Sequence, residues 1–251
     1  MKTTHPDVEK KAVLIAFGSF NPLTIGHLRL LEDSKDYLKH SGWNVLGAVI
    51  SPAHDDYKKR KPSLISSKHR IKMIELSIKN YDFLRCSRFE ANQFFWNSPG
   101  KFLKEHLQNL HEVFRDPING YKNYPYLPES LKTVNHSEVT NNNRFKLFTV
   151  CGGDLFASFC SPGEWLDEDI EDLVKNFDLI VRMRQGSDPY ACLRNNRILS
   201  TYKSNIHIIP EPISHNVSST NIRNAVKRGD SIKFFVHDDV IKYIADEQLY
   251  I

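Results

Sequence analysis

The residues best suited to chemistry lie in one stretch near the start of the chain, Gly18-Ser19-Phe20-Asn21-Pro22-Leu23-Thr24-Ile25-Gly26-His27. Five apolar residues before it, Val13 to Phe17, read as a buried strand, and a helical pattern follows from Leu28. A glycine-containing turn between a buried strand and a helix N-terminus offers free backbone N–H groups and the positive end of a helix dipole to an anion, phosphate above all. Gly18 lets a ligand approach the backbone, Pro22 stiffens the turn, and His27 sets an imidazole at the helix mouth. A structural connection with a surface histidine is the plainer reading of a lone Gly-x-x-x-Pro; Gly26 and His27 favour the ligand site. No G-x-G-x-x-G follows the first strand, which argues against hydride transfer.

A second donor cluster is Val217-Ser218-Ser219-Thr220-Asn221-Ile222-Arg223, hydroxyls at a helix start with a guanidinium one turn on. Taken alone it is an ordinary N-cap; together with the first turn it suits a polyphosphate. Cys151-Gly152-Gly153-Asp154 is another glycine turn after a strand, with Asp154 either a ribose acceptor or a helix cap. The run Lys58-Lys59-Arg60-Lys61 reads as phosphate contacts, a solvated charge run or a nuclear address. Trp96 and Trp165 stand beside turn residues, where an indole either stacks on a cationic heteroaromatic ring or fills the core. Arg184 follows a strand end. The histidines form no i,i+4 metal pair, and neither G-x-S-x-G nor a P-loop lysine occurs, so no covalent nucleophile is expected.

The elements that must position these groups alternate. Strands are expected at 13–17, 45–50, 82–87, 145–150, 178–182 and 206–209. Helices are expected behind His27 to Gly42, after Ser66 or Ser67, over 99–114, from 155, over 170–176, from 217 to Gly229, and after Asp238 or Asp239. The pattern predicts a Rossmann-like doubly wound parallel sheet with helices on both faces, in a single domain over 1–251. Residues 115–144 carry turn chemistry without a period and read as an irregular insertion. Ligands of such sheets bind at the strands' carboxyl ends, where the three polar turns fall.

Composition agrees with a globular protein: 251 residues, 40% apolar and 25% charged. A net charge of +4 is too mild for a nucleic-acid binder, and no apolar run approaches a membrane span. Four scattered cysteines without a C-x-x-C pair read as reduced thiols of an intracellular protein, cytoplasmic or nuclear.

Gly18-Ser19-Phe20-Asn21-Pro22 with Thr24-x-Gly26-His27 is similar to the nucleotidyltransferase signature that usually ends His-x-Gly-His, and Val217-Ser218-Ser219-Thr220-x-Ile222-Arg223 resembles that superfamily's second signature. Thr24 in place of the first histidine matches the eukaryotic nicotinamide/nicotinate mononucleotide adenylyltransferases. So do Ser51-Pro52 with Tyr57-Lys58-Lys59, Cys151-Gly152-Gly153-Asp154, Trp165 and Arg184. The resemblance implies transfer of AMP from ATP to a nicotinamide or nicotinate mononucleotide, giving NAD or its deamido form and pyrophosphate. It implies Mg²⁺ carried mainly by the ATP phosphates and water, and a homo-oligomer. It also implies roles. His27 and Arg223 would be catalytic, and Gly18, Ser19, Phe20, Lys58, Lys59, Ser219, Thr220 and Asn221 would meet ATP or its phosphates. Gly152 and Asp154 would take the adenosine side. Ser19, Phe20, Tyr57, Trp96, Pro99, Trp165, Arg184 and His215 would take the mononucleotide. Pro99 stands where the family often has threonine, and His215 where it often has asparagine. Another transferase of the superfamily and a catalytically silent binding module are the alternatives.

Overall fold

The first strand, β1 (Lys10–Gly18), is apolar on both faces and sits at the middle of the protein. Val13, Ile15 and Phe17 enter one hydrophobic layer, while Ala12, Leu14 and Ala16 enter the layer on the opposite face. Such two-sided burial demands helices on both sides of a parallel sheet. The structure, a computed structural model, describes residues 9–59, 61–133, 145–213 and 216–251. It supplies five further strands: β2 (Trp43–Pro52), β3 (Leu84–Cys86), β4 (Phe145–Gly152), β5 (Asp178–Arg182) and β6 (Ile206–Ile209). All pairings are parallel and the order is β3-β2-β1-β4-β5-β6. The doubly wound α/β expectation holds, and β5 and β6 fall on the expected residues.

Helices α1 (Ile25–His40) and α2 (Ser67–Ile78) cover one face through Leu30, Leu31, Leu38, Ile74 and Ile78. On the other face lie α3 (Pro99–Arg115), α4 (Pro117–Asn123), α5 (Gly153–Ser158), α6 (Asp167–Asn176), α7 (Pro189–Asn195) and α8 (Arg197–Thr201). Of these, α3, α5 and α6 bring Phe102, Leu103, Leu110, Phe156, Ile170 and Leu173 to that core. Helices α9 (Ser219–Arg228) and α10 (Asp238–Asp246) build a third cluster, with Ile222, Val240 and Ile244 packed against Met73 of α2. Gly229 ends α9 in the left-handed region at φ 75°, as its C-terminal pattern suggested.

Four expectations are corrected. Asp116-Pro117 starts a helix rather than a turn: the Asp116 carboxylate accepts from Asn119 N–H, and proline tolerates the first helical position. The stretch from 115 is therefore structured up to Thr133, with Leu127 and Leu131 buried, while residues 134–144 lie outside the described residues. The cap of α10 is the imidazole of His237, which accepts from Asp239 N–H, rather than either aspartate. Helices α7 and α8 were not foreseen, because each is too short to show a period. Finally, Cys160 and Cys192 form a disulfide, with Cα atoms 5.9 Å apart. They are 32 residues apart in sequence, and only the packing of α5 beside α7 brings them together.

Gly47 of β2 has no room for a side chain: a Cβ there would lie 2.5 Å from the Pro128 ring. Gly47→Ala is expected to destabilise the fold by about 1–3 kcal/mol through overpacking. Urea denaturation would show a lower midpoint with an unchanged slope.

Candidate active site

The sheet winds outward in opposite directions from β1 and β4, so the crevice beyond their carboxyl ends is the topological switch point. A cleft of about 380 Å³ opens there. Gly18, Ser19, Phe20 and His27 line it from the first turn, Gly152 and Asp154 from the second, and Ser219 and Thr220 from the start of α9. Tyr57, Trp96, Pro99, Trp165 and Arg184 form the rest of the wall that the sequence singled out. The three polar turns thus share one hollow.

The first turn is held from outside itself. Arg70 Nη1 donates to Ser19 O at 2.9 Å, Arg223 Nη1 to Asn21 O at 2.9 Å, and Ser219 Oγ to Pro22 O at 2.8 Å. Asn21, fully buried, donates to Ser63 O and accepts from the Tyr250 hydroxyl, each at 2.8 Å. The Asn21–Pro22 peptide is cis, and Phe20 occupies φ 43°, a region that bulky residues seldom enter. Thr24 N–H donates to His27 Nδ1 at 3.0 Å, with the Thr24 hydroxyl 2.8 Å from the same nitrogen. A ring nitrogen that accepts from a backbone N–H carries no proton in the neutral imidazole, so His27 Nε2 carries it and remains a donor.

Two cations are not where the sequence put them. Lys58 and Lys59 are exposed and do not line the cleft; Lys59 pairs with Asp56 at 3.8 Å. Lys61 lines it instead and donates to Ser19 Oγ at 2.8 Å. Burial pushes the Lys61 ammonium below its ordinary value, and the nearby Arg223 and Arg70 guanidiniums push the same way. Arg223 clasps the turn and donates to Thr220 Oγ1 rather than lining the cleft. Asn221 is exposed, its backbone N–H bound to Ser218 Oγ. Arg184 forms an ion pair with Asp154 and reaches Asn216. Trp165 donates to Ser158 Oγ at 2.8 Å and packs edge-on against Phe159. His215 lies outside the described residues.

The sequence reading missed Arg70, Glu90 and Arg182. Arg182 lines the cleft, pairs with buried Asp33 at 2.9 Å and donates to Gly26 O, which fixes the N-terminal turn of α1 against β5. Glu90, 4% exposed at the cleft wall, accepts from Ser51 Oγ. Burial lifts its carboxyl to about 8. No local signal marks these residues, because their partners lie far away in sequence. Among the described residues, no group of three or more His, Cys, Asp and Glu is placed to hold a metal ion, so they do not fit a protein-caged cation.

Residues 15–225 match the cytidylyltransferase-like family, which sets the chain among the α/β nucleotidyltransferases. The nicotinamide/nicotinic acid mononucleotide adenylyltransferase 1 of Bos taurus is 35% identical over 256 residues, covering 96% of this chain and 89% of the relative. The Arabidopsis thaliana nicotinamide/nicotinic acid mononucleotide adenylyltransferase is 32% identical over 242 residues, covering 95% and 89%. The chain therefore belongs to the nicotinamide/nicotinic acid mononucleotide adenylyltransferase family. A solved structure of the Plasmodium falciparum nicotinic acid mononucleotide adenylyltransferase complexed with NaAD shares the fold, with a TM-score of 0.60 over 96% of this chain and 97% of that one at 18% identity.

The Glu90 carboxyl yields a pH signature. Its folded-state value, about 8, lies above the ordinary 4.5, so the folded protein holds a proton that the unfolded chain releases. Its contribution is full below the unfolded value and is lost as pH rises through the folded one. In Glu90→Gln that loss should vanish. Urea unfolding at about pH 5 and about pH 8 should show wild type losing more stability with rising pH than the variant. Equal pH dependence would refute the assignment.

Proposed function

We propose that this chain joins the AMP of ATP to a nicotinamide or nicotinate mononucleotide, releasing pyrophosphate. The observation that carries this reading is the convergence of imidazole, ammonium and hydroxyl donors on one cleft at the switch point of the sheet. The cleft also has an aromatic wall. Such a donor set suits a polyphosphate, and Trp96 and Trp165 suit a planar pyridinium ring.

A mononucleotide phosphate is already a nucleophile, so the protein has only to align two phosphates and stabilise the developing charge. His27 Nε2–H is the donor to the transferring phosphate. Lys61, with Ser19, meets the phosphates where Lys58 and Lys59 were expected to do so. Thr220 brings its hydroxyl, and the first turn of α9 the positive end of its dipole, to the same anion, while the Ser219 hydroxyl is spent on Pro22 O. Arg223 acts here by holding Asn21 and Thr220. Gly152 lies open on the adenosine side, with Asp154 beside Arg184. Mg²⁺ would be carried by the ATP phosphates and water, where it would offset part of their charge.

Two variants test the assignment. With ATP and each mononucleotide, His27→Ala should lower kcat by ~10²–10³ while remaining folded. Lys61→Ala should lower kcat/KM by roughly ten-fold or more, as loss of a charge-assisted contact does, whereas Lys59→Ala stays within about two-fold. Dinucleotide formation followed by chromatography reads both. Near-normal turnover in His27→Ala would remove its role, and the reverse ranking of the lysines would restore the sequence-based choice.

A further inference from the structure

Outside the groups just assigned, one buried charge among the described residues joins several parts of the cleft frame: Arg70, in the first turn of α2. It is fully buried. Its guanidinium addresses four acceptors in different directions. Nε donates to Ile65 O at 3.0 Å, Nη1 to Ser19 O at 2.9 Å, and Nη2 to both Ala53 O at 2.6 Å and Asp55 Oδ1 at 3.0 Å. These acceptors belong to three separate stretches: the turn after β1, the segment after β2, and the approach to α2.

The segment after β2 continues through the 3-10 turn Asp55–Lys59 to Lys61. Lys61 N–H donates back to Tyr57 O and Lys58 O, which ties the ammonium-bearing residue to the 3-10 turn whose root is Ala53–Asp55. Asp55 is fixed a second time, accepting from Ser67 N–H at 2.6 Å and Ser67 Oγ at 3.0 Å. Ala53 N–H in turn donates to Gly18 O at 2.8 Å. The Lys61–Ser19 contact therefore has both its partners gripped by one guanidinium: Ser19 through its carbonyl, Lys61 through the root of that 3-10 turn.

We propose that Arg70 is a positioning residue for adenylyl transfer, setting the distance between the Ser19 turn and Lys61 so that both meet the substrate phosphates together. This rests on the function proposed above. Only a planar fork with divergent N–H groups satisfies four spread acceptors. A lysine ammonium is a single point on a flexible stem and leaves buried carbonyls unpaired. Displacement of an aligned phosphate donor by about 1 Å is enough to lower turnover by ~10²-fold.

The test compares wild type, Arg70→Lys and Arg70→Ala for thermal midpoint, folded fraction, and kcat and KM with ATP and either mononucleotide. Wild-type activity must be present; its absence would refute the proposed function itself and is read separately. The expected result is that Arg70→Lys stays folded and loses about ten-fold or more in kcat per folded molecule, larger than any change in KM. Guanidinium ion at millimolar concentration should raise the kcat of Arg70→Ala in a saturable way, while methylammonium does not. Wild-type kcat in Arg70→Lys would overturn the proposal. So would activity that falls only in step with the folded fraction without guanidinium recovery. If Arg70→Ala does not fold, Arg70→Lys alone decides. Failure of both to fold assigns Arg70 a purely structural role and overturns the proposal as well.

Discussion

The structure depends on how one irregular turn disposes of its carbonyl groups. Residues 19–22 leave β1 and have not yet entered α1, so neither sheet nor helix satisfies their backbone acceptors. Buried carbonyls without partners are costly, and three donors from far along the chain supply them: Arg70, Ser219 and Arg223. The shape of the turn is therefore a tertiary property. Phe20 at positive φ persists only because its neighbours on both sides are tied down, a local cost that recurs where a turn must meet a ligand.

The same arrangement sets the charge of the cleft. Lys61, Arg70 and Arg223 lie near enough for each guanidinium to lower the Lys61 ammonium, and burial lowers all three. Gathering cations out of water is unfavourable unless an anion is to be bound among them. Asp55 offsets Arg70 from the side away from Ser19, and Asp33 offsets Arg182 behind α1. The carboxylates thus hold the frame. The hydroxyl and ammonium donors of Ser19 and Lys61 stay at the cleft wall.

Much of this was legible in the sequence. Continuous apolar runs gave the strands, and the glycine, serine and threonine turns at their ends gave the three corners of the cleft, because turn chemistry is local. What escaped was decided by contacts at long range. Four consecutive cationic residues follow Tyr57, and spacing does not say which reaches inward. A 3-10 turn leaves Lys58 and Lys59 outside and aims Lys61 at Ser19. Arg70 stands one residue before Ile71 of the buried stripe, where a charged residue is ordinarily solvated; its burial follows from carbonyls up to 51 residues away. Arg223 looked like a fork for an anion, and its geometry shows it grasping the turn. The Cys160–Cys192 pair was hidden for the same reason, since it joins the turn after α5 to α7, which meet only in the folded chain.

This distribution of partners also explains why the site draws on the whole chain. The Asn21 side chain bridges Ser63 to Tyr250, the next-to-last residue, while its carbonyl binds Arg223. Tyr250 and Arg223 belong to the part of the chain whose core, with Ile222, Val240 and Ile244, packs on Met73 of α2. Helix α2 carries Arg70, which returns to Ser19 one residue from the end of β1. A closed circuit results: β1 turn, α2, C-terminal helices and back to the turn. In such a circuit no single hydrogen bond defines the cleft, and loosening any one link lets the turn relax at the others. This corner of the cleft consequently rests on the packing of Tyr250 and α9 against α2 as much as on β1 itself.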